Sequence, residues 1–233
     1  MTQEFLAGII DYTLLKPHAD SHQFTQLFEE AIHYGFHSVC VNPCQVEKAN
    51  NFLKDYQVQV GSVVGFPLGA STTSTKLQET ESCIQAGAVE IDMVMNIGFF
   101  KDGNLDYVAD EIVQIVNSSS GNILKVIIET NLLNDDEISQ ASKLVEDSGA
   151  QFVKTSTGYY GSGATPDLVQ LIRSAVRSET GIKASGGIKT LAQLEELMDA
   201  GADRIGTSSA VIIMKEFRKN WFKFIPNLND KFE

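Results

Sequence analysis

Along the chain, hydrophobic and polar positions repeat one pattern. An amphipathic stretch of helical spacing gives way to Gly-Ala or Gly-Phe, and then to a short apolar run ending in polar or glycine residues. HYGFHSVCVNP, QAGAVEIDMVMNIG, DSGAQFVKTSTG and DAGADRIGTSS are the clearest cases. A glycine at that point supplies the left-handed cap that stops a helix and feeds the next strand, so each unit predicts a helix-to-strand step. IIDYTLLK, QVGSVVGFP, ILKVIIET and GIKASGG bring the predicted strands to eight, with helical segments between them. Strands alternating with helices specify an α/β protein with a parallel sheet. Eight such units close most naturally into a single (β/α)8 TIM barrel, with a doubly wound open sheet as the alternative topology.

No low-complexity segment or Pro/Gly/Ser linker divides the sequence, and NSSSGN at 117 to 122 is short enough to be one αβ loop. Residues 1–233 therefore read as one barrel domain, a length the fold ordinarily needs. Side chains at i and i+2 of a strand share a face. In EIDMVM the apolar Ile91, Met93 and Met95 fall on one face, and Glu90 and Asp92 on the other. The same alternation sets apart Lys125 with Glu129, Lys154 with Ser156, Lys183 with Ser185, Asp11 with Thr13, and Cys40 with Asn42. With the apolar face turned to the helices, the barrel interior carries carboxylates and lysines, which stability alone would not select. Charges at the C-terminal ends of barrel strands point to catalysis.

A single buried lysine is ordinarily half of an ion pair. Three of them, Lys125, Lys154 and Lys183, facing one cavity with Asp92 among them, point to amine chemistry. A lysine amine, protonated below about pH 10.4 in water, becomes a nucleophile near neutrality when burial and a neighbouring cation disfavour its charge. A neutral amine attacks an aldehyde, and the resulting iminium draws electrons from the adjacent carbon-carbon bond. Spacing leaves open whether Lys154 or Lys183 is that nucleophile, and Asp92 is the natural proton shuttle between them. After the seventh and eighth predicted strands, SGGIKT leads into a helix capped by Thr190, and GTSS leads into AVIIMKEF. Loops at these two strands, with a helix N-terminus, form the usual barrel phosphate site.

The net charge of −12 argues against a nucleic-acid partner, and any phosphate must be held by local donors. Cys40, Cys44 and Cys83 show no zinc spacing and read as reduced thiols of a cytoplasmic protein. The N-terminal stretch carries neither a secretory signal nor a membrane span. His18, His22, His33 and His37 read as surface or loop residues rather than metal ligands. The aromatic tail RKNWFKFIPNLNDKFE is expected to pack on the barrel.

From Asp11 to about Phe217, the motifs DYTLLKP, VCVNP, VGFPLG, EIDMVMNIG, LKVIIET, FVKTSTG, IKASGGIKT and RIGTSS together resemble the deoxyribose-phosphate aldolase family. The resemblance implies reversible cleavage of 2-deoxyribose 5-phosphate to acetaldehyde and glyceraldehyde 3-phosphate, with no metal or other cofactor, in a chain that is often a homodimer. It places the family's Schiff-base lysine on Lys154, the second lysine that keeps the first deprotonated on Lys183, and the acid/base aspartate on Asp92. It carries phosphate contacts to Gly158, Gly186, Gly187, Gly206, Ser208 and Ser209, and a further one to Lys189, which stands where arginine is usual. Tyr12 replaces a frequent histidine and Tyr159 a phosphate-binding lysine of some relatives, departures expected to weaken phosphate affinity. The tail ends in Phe232 and Glu233 where some members carry a tyrosine that reaches the active site. The competing readings are another phosphosugar-binding barrel enzyme, either an isomerase or a different Schiff-base aldolase, and a phosphosugar sensor without turnover.

Overall fold

The computed structural model describes residues 1–224, with side chains to residue 220. The elements run α1 (Gln3–Gly8), β1 (Ile10–Leu14), α2 (Ser21–Tyr34), β2 (Ser38–Val41), α3 (Val46–Leu53), β3 (Gln59–Val64), α4 (Thr73–Gln85), β4 (Glu90–Val94), α5 (Ile97–Lys101) and α6 (Leu105–Ser118). They continue β5 (Ile123–Ile127), α7 (Asp135–Asp147), β6 (Phe152–Lys154), α8 (Pro166–Ala175), β7 (Gly181–Ser185), α9 (Leu191–Asp199), β8 (Arg204–Thr207) and α10 (Ala210–Phe224). The eight strands form a closed parallel barrel in sequence order, with β8 returning to pair with β1. Closure leaves no sheet edge and excludes the open doubly wound alternative.

Local sequence explains where the elements begin and end. Asp20 with Gln23, Asn134 with Glu137 and Thr190 with Gln193 form reciprocal capping boxes at the starts of α2, α7 and α9. Gly35, Gly87, Gly149 and Gly201, all at positive φ, follow α2, α4, α7 and α9 in the four units read from the sequence. The NSSSGN segment does join α6 to β5. Two short helices, α1 and α5, were not legible in the pattern, since each is too short to establish a periodicity. The side chains of the aromatic tail from Trp221 onward lie outside the described residues.

Strand alternation partitions the barrel as expected. Ile91, Met93, Val126, Val153, Ile182 and Ile205 are fully buried apolar residues. They face the surrounding helices, because the alternate positions meet one another inside. Register sets Asp92 beside Lys125 on β4 and β5, Lys154 beside Lys183 on β6 and β7, and Lys183 beside Arg204 on β7 and β8. Inward side chains of β1, β4, β5, β6, β7 and β8 thus converge on the axis.

Candidate active site

Asp92 is the hub of the barrel interior. Its Oδ2 accepts hydrogen bonds from Lys154 Nζ and from Lys183 Nζ, each at 2.7 Å, and its Oδ1 accepts from Lys125 Nζ at 3.1 Å. A second layer lies toward the N-terminal ends of the strands. There Glu90 takes Lys125 at 2.6 Å, and Asp11 takes Lys183 at 2.5 Å and Arg204 at 2.8 Å. Asp11, Glu90, Asp92, Lys125, Lys154, Lys183 and Arg204 are all buried. Burying so many charges costs several kcal/mol for each unpaired ion, which is why each lies against an opposite charge.

The electrostatics divide these groups. Burial alone would raise the Asp92 carboxyl, but Lys125, Lys154 and Lys183 together hold it well below the usual carboxylate range. Asp11 is likewise held low against burial by Lys183, Lys125 and Arg204. Lys183 goes the other way: burial opposes its charge, yet Asp11 and Asp92 push it above the ordinary lysine range, so it stays a cation. Burial and Asp92 push the Cys40 thiol, 3.9 Å from Asp92 Oδ2, up to about 11, which leaves it protonated and unreactive near neutrality. Lys125 contacts the three carboxylates Asp11, Glu90 and Asp92, Lys183 contacts two, and Lys154 contacts Asp92.

Above this array, at the C-terminal end of the barrel, opens a cavity of about 280 Å³. Lys154 lines it, as do Gly158, Gly186, Gly187, Lys189, Gly206, Ser208 and Ser209, so every expected phosphate-loop residue borders the same space as the expected nucleophile. Asp92 and Lys183 lie beneath its floor, reached through Lys154. Two glycines are required by close approach. A Cβ on Gly206 would stand 2.9 Å from Lys183 Cε and 3.1 Å from Ser185 Cβ, so its absence makes room for the lysine stem. Gly187, at φ 75°, would set a Cβ 2.4 Å from the Ser162 carbonyl oxygen.

The two helix starts beside the cavity differ. At α9 the backbone donors are already committed: Glu216 accepts from Leu191 N, and Gln193 Oε1 accepts from Lys189 N and Thr190 N. The Thr190 cap therefore serves the helix rather than a ligand. α10 begins at Ala210, directly after the cavity-lining Ser208 and Ser209, and is the helix N-terminus that meets the cavity.

Several features depart from the sequence reading. Tyr12 points to α2, where its hydroxyl donates to Glu30 at 2.7 Å and its ring packs on Phe36; it borders no part of the cavity and cannot alter phosphate affinity by contact. Tyr159 does line the cavity, with its hydroxyl on the Leu15 carbonyl at 3.2 Å. His37 lies in the loop before β2, as a surface or loop residue should, and in addition meets buried Glu90 at 3.1 Å. Arg204 and Thr157 went unremarked in the sequence. Arg204 carries a signal in hindsight, since it shares strand parity with Gly206 and so points inward. Glu129, expected to follow Lys125, lies past the end of β5 at φ 53°, a left-handed conformation that costs a non-glycine residue of order 1 kcal/mol. Among the described residues, no group of three or more His, Cys, Asp or Glu side chains is placed to hold a metal ion, and no helix is long and apolar enough to cross a membrane.

Residues 8–216 match the model of the DeoC/LacD family aldolases. Deoxyribose-phosphate aldolase 2 of Staphylococcus aureus is 51% identical over 209 residues, spanning 90% of this chain and 95% of its own length. The deoxyribose-phosphate aldolase of Clostridium kluyveri is 50% identical over 217 residues, 93% of this chain and all of the relative. Among solved structures, the deoxyribose phosphate aldolase of Aeropyrum pernix, described as a unique tetramer, superposes with a TM-score of 0.88 at 36% identity, covering 94% of this chain and 93% of its own.

Proposed function

The chain belongs to the DeoC/LacD family of aldolases, and on that premise we propose that Lys154 is its Schiff-base nucleophile, with Asp92 and Lys183 as the groups that handle its protons. It is an aldehyde-lyase acting on a phosphorylated sugar, and its reaction is the reversible cleavage of 2-deoxy-D-ribose 5-phosphate to acetaldehyde and D-glyceraldehyde 3-phosphate. The observation that carries the assignment is that Lys154 alone of the three interior lysines borders the cavity, while its Nζ shares Asp92 Oδ2 with Lys183. The buried array sets four cations, Lys125, Lys154, Lys183 and Arg204, against three carboxylates, Asp11, Glu90 and Asp92. Release of one proton neutralises it, and Lys154 is the cation with the fewest carboxylate contacts and a path to solvent.

The neutral amine adds to the C1 aldehyde, and the carbinolamine loses water to give an iminium. The electron pair of the C2–C3 bond then moves into the iminium, the C3 hydroxyl proton departs, and glyceraldehyde 3-phosphate leaves. Protonation of the enamine at C2 and addition of water release acetaldehyde and restore Lys154. Asp92, held ionised by its lysines, relays protons among Lys154, water and the carbinolamine rather than storing one. The loops at Gly158, Gly186, Gly187, Lys189, Gly206, Ser208 and Ser209 hold the 5-phosphate through backbone N–H groups, hydroxyls and the α10 N-terminus. Each step needs only amine, carboxylate and water, which supports a metal-independent reaction. Three unpaired cysteines support a cytoplasmic location.

Borohydride reduction in the presence of acetaldehyde, followed by peptide mass analysis, tests the assignment. A two-carbon adduct is expected on Lys154, and Lys154→Ala is expected to lose activity by orders of magnitude. An adduct confined to Lys183 would reverse the two roles.

A further inference from the structure

Glu129 is buried, holds a left-handed backbone at φ 53°, and leaves Oε1 without a hydrogen-bond partner among the described residues. Each of these features is unfavourable, and a position serving packing alone would not accumulate them. What the carboxylate does is hold Thr157. Thr157 N donates to Glu129 Oε2 at 3.1 Å, and the Thr157 hydroxyl donates to the same oxygen. Tyr159 N in turn donates to Thr157 Oγ1 at 3.2 Å.

A threonine hydroxyl has one proton and two lone pairs. Its proton is committed to Glu129 and one lone pair to Tyr159 N–H, so it has one acceptor site left, on a residue that lines the cavity. With the Glu129 carboxyl ionised, Oε2 can only accept, so both the Thr157 N–H and the Thr157 hydroxyl donate to it. Thr157 stands three residues after Lys154 and next to Gly158, between the carbon-binding amine and the phosphate loops. A five-carbon chain held at C1 by Lys154 and at C5 by the phosphate loops would pass its middle carbons there.

We propose that Glu129 is a positioning residue that turns the Thr157 hydroxyl into an obligate acceptor, so that the site selects substrates carrying a donor hydroxyl at C4 of the sugar. That hydroxyl is the 2-hydroxyl of glyceraldehyde 3-phosphate after cleavage. The inference rests on the aldolase reading and concerns selectivity within it.

The test runs the reaction toward synthesis, with acetaldehyde as donor and either glyceraldehyde 3-phosphate or 3-oxopropyl phosphate, which lacks the hydroxyl, as acceptor. The unmodified protein is expected to prefer the hydroxylated acceptor in kcat/KM. Glu129→Asn tolerates the left-handed backbone but falls one methylene short of Thr157. It should reduce the preference about tenfold or more, mostly by slowing the hydroxylated acceptor. Glu129→Gln keeps an oxygen within reach and should largely retain the preference. Thr157→Val, which keeps the shape of the side chain, should reduce it as Glu129→Asn does. No preference in the unmodified protein, or variants that slow both acceptors equally, would overturn the proposal. Failure of the unmodified protein to turn over either acceptor would instead count against the aldolase reading.

Discussion

The Nζ atoms of Lys154 and Lys183 lie at the same distance, 2.7 Å, from one oxygen of Asp92. Two cations on one carboxylate oxygen repel each other, and the arrangement persists because Asp11 holds Lys183 from below at 2.5 Å. The pair is therefore asymmetric. Lys183 is fixed as an ammonium by two carboxylates, whereas Lys154 meets one carboxylate and borders the cavity.

The loop after β8 yields a prediction about the phosphate. Ser208 borders the cavity just ahead of the first turn of α10. Ser208→Asp would set a negative charge where the proposed site takes the substrate's phosphate, at the helix end that otherwise favours an anion. The ratio of kcat/KM for 2-deoxyribose 5-phosphate over free deoxyribose should fall at least about tenfold, with little change for the free sugar. An unmodified protein that uses both sugars equally well would remove the phosphate from this site.

Gly206 sits against the stem of Lys183 rather than only against a ligand. Gly206→Ala would bring a methyl group to 2.9 Å from Cε of a lysine that is buried and pinned at its nitrogen, so the side chain must shift in its place between Asp11 and Asp92. A fall in kcat of about tenfold or more is expected, with KM changed less, because the disturbed group lies beneath the cavity floor. Loss confined to KM would place the effect in the loop instead.

Much of this site was legible in the chain. Alternation along the strands put Asp92, Lys125, Lys154 and Lys183 on one face, and only a closed barrel brings those faces together. Spacing left the choice between Lys154 and Lys183 open because both stand near strand ends. Their surroundings separate them: the two are paired in register, but Lys154 borders the cavity, whereas Lys183 does not and is held between Asp11 and Asp92. Glu129 was not legible in its actual place, since the left-handed turn after β5 breaks the alternation on which the reading depended. Thr190 does cap α9 as the sequence indicated, but Glu216, which takes the Leu191 N–H at that helix start, was not legible because it lies 25 residues away in sequence.

The charge array also fixes a pH dependence for stability. The Asp92 and Asp11 carboxyls are held below their usual range in the folded protein, so their contribution is present above about pH 3.9 and is lost as pH falls toward their folded values. Lys183 and Lys125 are shifted upward against burial by Asp11, Asp92 and Glu90, so their contribution is complete below about pH 10.4 and is lost as pH rises through their folded values. Between these limits the array contributes a constant stability. Denaturation midpoints should therefore be nearly flat from about pH 5 to pH 7 and fall at more acid pH. Lys125→Met, which leaves Glu90 with weaker partners, should lower stability by about 3 kcal/mol at pH 7. A steep slope near neutrality would mean that some other titrating group governs stability.

Lys183 provides the sharpest test of the mechanism, since its substitution separates a charge that acts on Lys154 from one that only completes an ion network. If the ammonium of Lys183 keeps Lys154 available as a neutral amine, Lys183→Leu removes the like charge and leaves the Lys154 proton in the sole keeping of Asp92. Activity near pH 7 should then fall about 100-fold, with Lys154 still in place. Raising the pH should restore part of it, so the rate profile moves toward base. The network reading predicts otherwise. Asp11 keeps Arg204 at 2.8 Å, but its contact with Lys183 at 2.5 Å is lost, and a poorly compensated carboxylate would lower stability and depress activity alike at every pH. A pH-rate profile measured beside a denaturation curve distinguishes the two. A basic shift with stability largely kept is the expected outcome, and an unmoved profile in a markedly less stable protein would reduce Lys183 to a structural cation.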